Sequence, residues 1–129
     1  MSFSGDFKRF TEKAEAAAEK VFRGTALDIA GKIMQRSPVD TGRFRSNWQT
    51  ALNTIPSGIT EGTAQNAMSK AKSTTAKATP KDSIYFINNL PYSLKLEYGH
   101  SKQAPMGMVR LTVSEFDRII QANAYKARK

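Results

Sequence analysis

With 129 residues and 20 Lys and Arg against 11 Asp and Glu, the chain makes one compact domain of net charge +9, suited to phosphates, acidic surfaces or an acidic partner. It has no cysteine and a single histidine, His100, which excludes disulfide scaffolds, thiol nucleophiles, Cys-based zinc or iron–sulfur sites and a multi-histidine metal site within one chain; no cofactor is expected. Its longest run of large apolar residues, Ile84-Tyr85-Phe86-Ile87, is far short of a membrane span, and its N-terminus lacks the basic-then-apolar pattern of a secretory signal.

A long first helix is predicted from about Gly5 to Arg36. Phe7, Phe10, Ala14, Ala17 and Val21 recur at three- and four-residue steps on one stripe, and Phe22, Ala26, Ile29, Ala30, Ile33 and Met34 continue it with a rotation near Gly24. Ser37-Pro38 ends the helix, because the residue before proline is pushed out of the α region. Pro38-Val39-Asp40-Thr41-Gly42 is turn chemistry. Arg43 to Trp48 then lead into a short extended stretch ending near Leu52, with Phe44 and Trp48 as core anchors and Arg43 and Arg45 at the rim.

From Pro56 to Asp82 the chain is rich in Ala, Thr, Ser and Lys, and its only large apolar residues are Ile59 and Met68. A weak helix is possible over 64–78, but so little surface would be buried that the segment reads as a flexible arm or long loop at about 56–82. It carries Lys70, Lys72, Lys77 and Lys81, candidates for contact with DNA or a partner protein. Ser83 to Asn88 is the best strand in the chain. Pro91 to Tyr98 fits a short helix with Tyr92, Leu94, Leu96 and Tyr98 partly inward and Gly99 as its stop. One last helix is expected from about Pro105 to Tyr125, although Val109, Leu111 and Val113 also alternate like a strand.

Enzymatic chemistry finds little support. Asp40-Thr41-Gly42 matches the triplet of retroviral-type aspartic proteases, but a helix and a proline precede it, and Arg43 would hold both carboxylates of a paired site ionised. His100 stands beside Ser101 with no Gly-x-Ser-x-Gly elbow, and no phosphate-binding glycine loop is present. The positive charge is spread along the chain, and no zinc-finger, RNP or basic-zipper signature accompanies it. A non-specific DNA-binding module is the alternative reading that this charge leaves open.

Three blocks become specific when taken together: Ser37-Pro38-Val39-Asp40-Thr41-Gly42-Arg43-Phe44-Arg45-Ser46-Asn47-Trp48, then Ile84 through Asn88-Asn89-Leu90-Pro91-Tyr92, then Leu96-Glu97-Tyr98-Gly99-His100 through Pro105 and Gly107-Met108-Val109. Their order and spacing resemble the tail-completion, or head–tail connector, family of long-tailed bacteriophages, over roughly residues 5–125. The resemblance implies a single α+β domain, here a long N-terminal helix and a C-terminal helix packed on a small, mainly antiparallel sheet. It implies a structural subunit of the virion neck, made in the host bacterial cytoplasm, that completes the tail and joins it to the DNA-filled head. The implied partners are further copies in a ring, sixfold to match the tail, the neighbouring neck and tail proteins (a head-side connector or stopper, a tail terminator or the tail tube), and genomic DNA without sequence preference; no membrane is involved. The motif residues expected to shape the fold are Pro38, Asp40, Thr41, Gly42, Arg43, Trp48, Asn88, Pro91, Tyr92, Glu97, Tyr98, Gly99 and Pro105, with Glu97 meeting a basic group, Arg43 or Arg45.

A diffuse field of this kind predicts DNA binding that is weak, independent of sequence and lost with rising salt. Filter binding of two unrelated duplexes across a salt series checks it; tight, salt-resistant preference for one duplex would contradict it.

Overall fold

The computed structural model describes residues 3–39, 42–99, 104 and 106–128. Helix α1 (Phe3–Arg36) is 34 residues long, about 51 Å at 1.5 Å per residue. Its C-terminal half carries the apolar face into the core, with Ala30, Ile33 and Met34 buried. At its end Ser37 folds back, its Oγ donating to Ile33 O at 2.7 Å, and the Arg45 guanidinium donates to Ser37 O and Gln35 O at 2.9 and 2.7 Å. Carbonyls that a helix C-terminus leaves without partners are satisfied in this way.

The lead-in from Arg43 is one helical turn, α2 (Arg43–Ser46), and the extended stretch expected to end near Leu52 is strand β1 (Trp48–Leu52). Gly42 leads into the turn with φ 73°, in the left-handed region that glycine enters without a Cβ penalty. Ser46 Oγ and Asn47 Nδ2 both donate to Arg43 O, local side-chain bonds that compete with an extended backbone. Strand β1 pairs antiparallel with β2 (Ile84–Asn88), Trp48 opposite Asn88 and Leu52 opposite Ile84. Just past the pairing, Asn53 adopts φ 61° and exchanges two bonds with Ser83, its N–H donating to Ser83 O and its Oδ1 accepting from Ser83 N–H.

The connection between the strands departs from the expected arm. It contains helix α3 (Ala64–Lys77), capped by Thr63, whose side chain accepts from Asn66 N–H. Ala67, Ala71, Thr74 and Thr75 are buried where α3 lies on β1, α1 and α2. These side chains are too small to register as an apolar stripe. They bury area by letting the helix backbone come close, and Arg23 Nε fastens the far end by donating to Ala78 O at 2.7 Å.

After β2 come α4 (Ser93–Glu97), α5 (Val109–Val113) and α6 (Phe116–Ala127). The single C-terminal helix expected from the sequence is thus two, broken at Ser114-Glu115, where Glu115 takes φ −101°, ψ 8° and its carboxylate meets Arg36 at 2.7 Å. Arg36 also donates to Thr112 Oγ, so the end of α1 holds both sides of the break. Beyond it α6 runs back along α1, and Asn123 Nδ2 reaches Asp28 Oδ2 at 2.9 Å. The core is Ile33, Met34, Phe44, Trp48, Ala67, Leu90, Ala104 and Met108, with Phe86 and Leu96 packed against it. The architecture is the expected α+β one: a long N-terminal helix, a C-terminal helix along it, and a two-stranded antiparallel sheet.

The crossing of α1 and α6 needs a glycine at position 24, since a Cβ there would overlap the Asn123 side chain. Gly24→Ala is expected to cost about 1–3 kcal/mol by overpacking, and to cost less in an Asn123→Ala background. Urea unfolding of the four variants measures both.

Candidate functional site

The residues that made the sequence distinctive are mostly turned into the fold. Pro38 is buried. Trp48 stacks on Phe86 with centroids 4.8 Å apart and meets Phe44 edge-on at 5.7 Å, while its Nε1 donates to Ser37 Oγ at 2.9 Å. Asn88 Nδ2 donates to Phe44 O, and its Oδ1 accepts from Leu90 N–H and Ser93 Oγ, joining the end of β2 to α2 and to the start of α4. Pro91 and Tyr92 are exposed at the head of α4, with the Tyr92 ring 6.1 Å from Phe44. Arg43 lies at the surface beside Gly42. Asp40, Thr41, His100, Ser101 and Pro105 lie outside the described residues.

Glu97 does meet a basic group, and the partner is Arg110 rather than Arg43 or Arg45. Its carboxylate accepts the backbone N–H groups of Met108, Val109 and Arg110, each at 2.9 Å, and the Arg110 Nε at 3.1 Å. Three N–H groups left without partners at the start of α5 are satisfied by one anion, which also complements the positive end of the helix. Arg110 closes the unit by donating to Glu97 O and lying 4.6 Å over the Tyr98 ring. Gly99, at φ 87°, lets the chain leave α4. Gly107, at φ 82°, leaves no room for a Cβ, which would stand 2.5 Å from Glu97 O. Glu97-Tyr98-Gly99 is therefore one half of a clasp and Gly107 to Arg110 is the other. Arg110, three residues beyond Gly107, carries no signal in the sequence that would mark it as the partner.

Three features remain on the surface. Leu94 and Tyr98, read as partly inward, are 70% and 63% exposed. They stand four residues apart on α4, and Met106, next to Gly107 of the clasp, is 67% exposed. Lys70, Lys72, Lys77 and Lys81 are all exposed. Lys70 and Lys77 share one edge of the outer face of α3, Lys72 takes the other, and Lys81 follows in the next turn. Finally, an apolar groove of about 450 Å³ runs between α1 and α6, lined by Val21, Ala26, Phe116 and Ile120 among others. Thr25 Oγ1 faces this region, buried and without a hydrogen-bond partner among the described residues. Among those residues no group of three or more His, Asp or Glu could hold a metal ion, and no helix is long and apolar enough to cross a membrane.

Burial acts to raise the Glu97 pKa, but the three backbone N–H groups and the Arg110 side chain outweigh it and hold the carboxyl below its ordinary value. Asp82 is also lowered, by Asn53 and the Thr79 backbone N–H, and Glu115 by Arg36. Depressed carboxylates stabilise the fold above their unfolded pKa, and that stability is lost as pH falls through the folded values. Glu97→Gln removes the charge and turns an amide donor toward backbone donors, an expected loss of about 2–3 kcal/mol at neutral pH. Stability of the variant then declines less steeply below about pH 5 than that of the parent. Thermal melts of both proteins from neutral to acidic pH check both the size and the slope.

Residues 2–99 match the family described as "Bacteriophage HK97-gp10, putative tail-component". That span takes in α1, the α2 turn, both strands, α3 and the Glu97 half of the clasp, and stops short of α5 and α6. No curated protein and no solved structure gives a significant match to the chain. With three-quarters of its length inside the matched span, the chain belongs to the HK97-gp10-like family of phage tail components.

Proposed function

We propose that this tail component acts at the neck of a long-tailed phage, completing the tail and joining it to the DNA-filled head as a ring of copies around the channel through which the genome passes. The membership of residues 2–99 in a tail-component family carries the reading. The surface is consistent with such a joint, which needs a rigid place for a neighbouring protein to seat and a wall that tolerates passing DNA. The exposed Leu94 and Tyr98, on the helix that the Glu97 clasp holds, and the exposed Met106, next to Gly107 of the clasp, supply apolar area for a protein contact. The exposed lysines of α3 and Lys81 supply charge for phosphates or for an acidic face of an adjoining ring, without base readout. The work is mechanical, with no reaction and no cofactor.

Electron microscopy of a lysate in which this gene alone is blocked tests the reading. DNA-filled heads lying apart from full-length tails are expected. Joined, infectious particles would overturn it and move the non-specific DNA-binding module to first place.

A further inference from the structure

Most of the first half of α1 stands clear of the body of the protein; the body is first met at Glu15, Ala18 and Glu19, which border a cavity with Thr79, Pro80 and Lys81. A domain of this length has a radius of gyration of about 14 Å and measures about 36 Å across, whereas α1 is about 51 Å long. Side chains are exposed at 8–10, 12–16, 18 and 20, and Phe10 is 71% exposed. A helical segment with so little packed against it is marginal by itself.

From Arg9 to Lys20 its charges are sorted. At 3.6 residues per turn Glu12, Glu15 and Glu19 fall along one edge, Arg9, Lys13 and Lys20 along another, and Phe10, Ala14, Ala17 and Val21 on a third sector; one turn earlier Lys8 lies in line with the acidic edge and Asp6 beside the basic one. Arg9 with Lys13 and Glu15 with Glu19 are like-charge i,i+4 pairs, which weaken a lone helix. Arg9 pairs with Asp6 and Glu19 with Arg23. Among the described residues Glu12, Glu15, Lys13 and Lys20 have no ion-pair partner in their own chain.

We infer that copies of this chain pack side by side through the projecting part of α1, the acidic edge of one helix against the basic edge of the next. A second copy is the occupant because one helix presents both complementary edges in the same orientation. Nucleic acid would be repelled by the acidic edge, and an acidic or basic partner would leave the opposite edge unmatched. Acid-to-base contact is heterologous, so it repeats from copy to copy and closes into a ring when the rotation allows. In this respect it rests on the multi-copy ring proposed above and names the surface that builds it.

The absence of cysteine permits a clean test. Ala16 is exposed and lies between the two edges, so an Ala16→Cys chain treated with a short bis-maleimide should yield cross-linked dimers, in particles and in the concentrated purified protein. Glu12→Lys with Glu15→Lys is expected to lower the dimer yield about tenfold or more, and Lys13→Glu with Lys20→Glu likewise. All four substitutions together restore the yield, because each edge again meets its opposite; thermal melts confirm that every variant is folded. The inference is overturned if the parent gives no dimer in either sample, or if the four-substitution chain is as defective as its parents. Dimers that follow the charge swap, in a phage whose particles join without the gene product, would leave the contact standing and remove the neck function. Particles that require the gene product but yield no dimers would do the reverse.

Discussion

An indole N–H taken out of water must find an acceptor, and in this protein the one that Trp48 finds is Ser37 Oγ, at the point where the long helix ends. Ser37 passes the bond on to Ile33 O, and the Trp48 ring is held between Phe44 and Phe86. One side chain thus ties together the end of α1, the α2 turn and both strands. Asn47 and Asn88 reinforce the same point. Asn47, fully buried, bonds Arg43 O and Thr60 O and accepts from Thr60 N–H, and Asn88 bonds Phe44 O. In this small core the polar bonds set which elements meet, and the apolar contacts supply most of the energy.

The Glu97 clasp repeats this logic on another side of the same core, where Met108 is buried with Phe44 and Trp48. A two-stranded sheet offers little platform, and α4 and α5 are each five residues long, too short to be stable in isolation. A carboxylate that satisfies three backbone donors and one guanidinium fixes them relative to each other. Leu94 and Tyr98 then project from a site with few alternative conformations. A partner that docks on a preorganised surface loses less entropy than one that must order a loop first.

Charge in this protein is distributed by role. From Arg9 to Lys20 α1 is sorted into edges of opposite sign, which suits contact between copies, whereas α3 presents lysines with no carboxylate among them, which suits phosphate or an acidic face. The net +9 alone does not distinguish these surfaces. The difference follows from which helix packs on the core and which one overhangs it.

Local chemistry was legible from the residues. The first helix, its stop at Ser37-Pro38, the strand at Ile84–Asn88, the short helix closed by Gly99 and the core roles of Phe44 and Trp48 follow from periodicity, proline and glycine geometry, and side-chain size. Glu97 stood out by belonging to one of the distinctive blocks that carry the family resemblance, Glu97-Tyr98-Gly99, and not by any local pattern. The partners were settled by tertiary structure, because they depend on distances between segments far apart in the chain. Arg110 rather than Arg43 or Arg45 faces Glu97 because Gly107 permits the close approach of α5. Ala67, Ala71, Thr74 and Thr75 make α3 a packed helix because β1 and α1 lie beneath it, which no local hydrophobicity can report. The last helix breaks at Glu115 because Arg36, 79 positions earlier, takes its carboxylate. Periodicity records which face of a segment is apolar; only the assembled fold decides what that face, or a charge beside it, will meet.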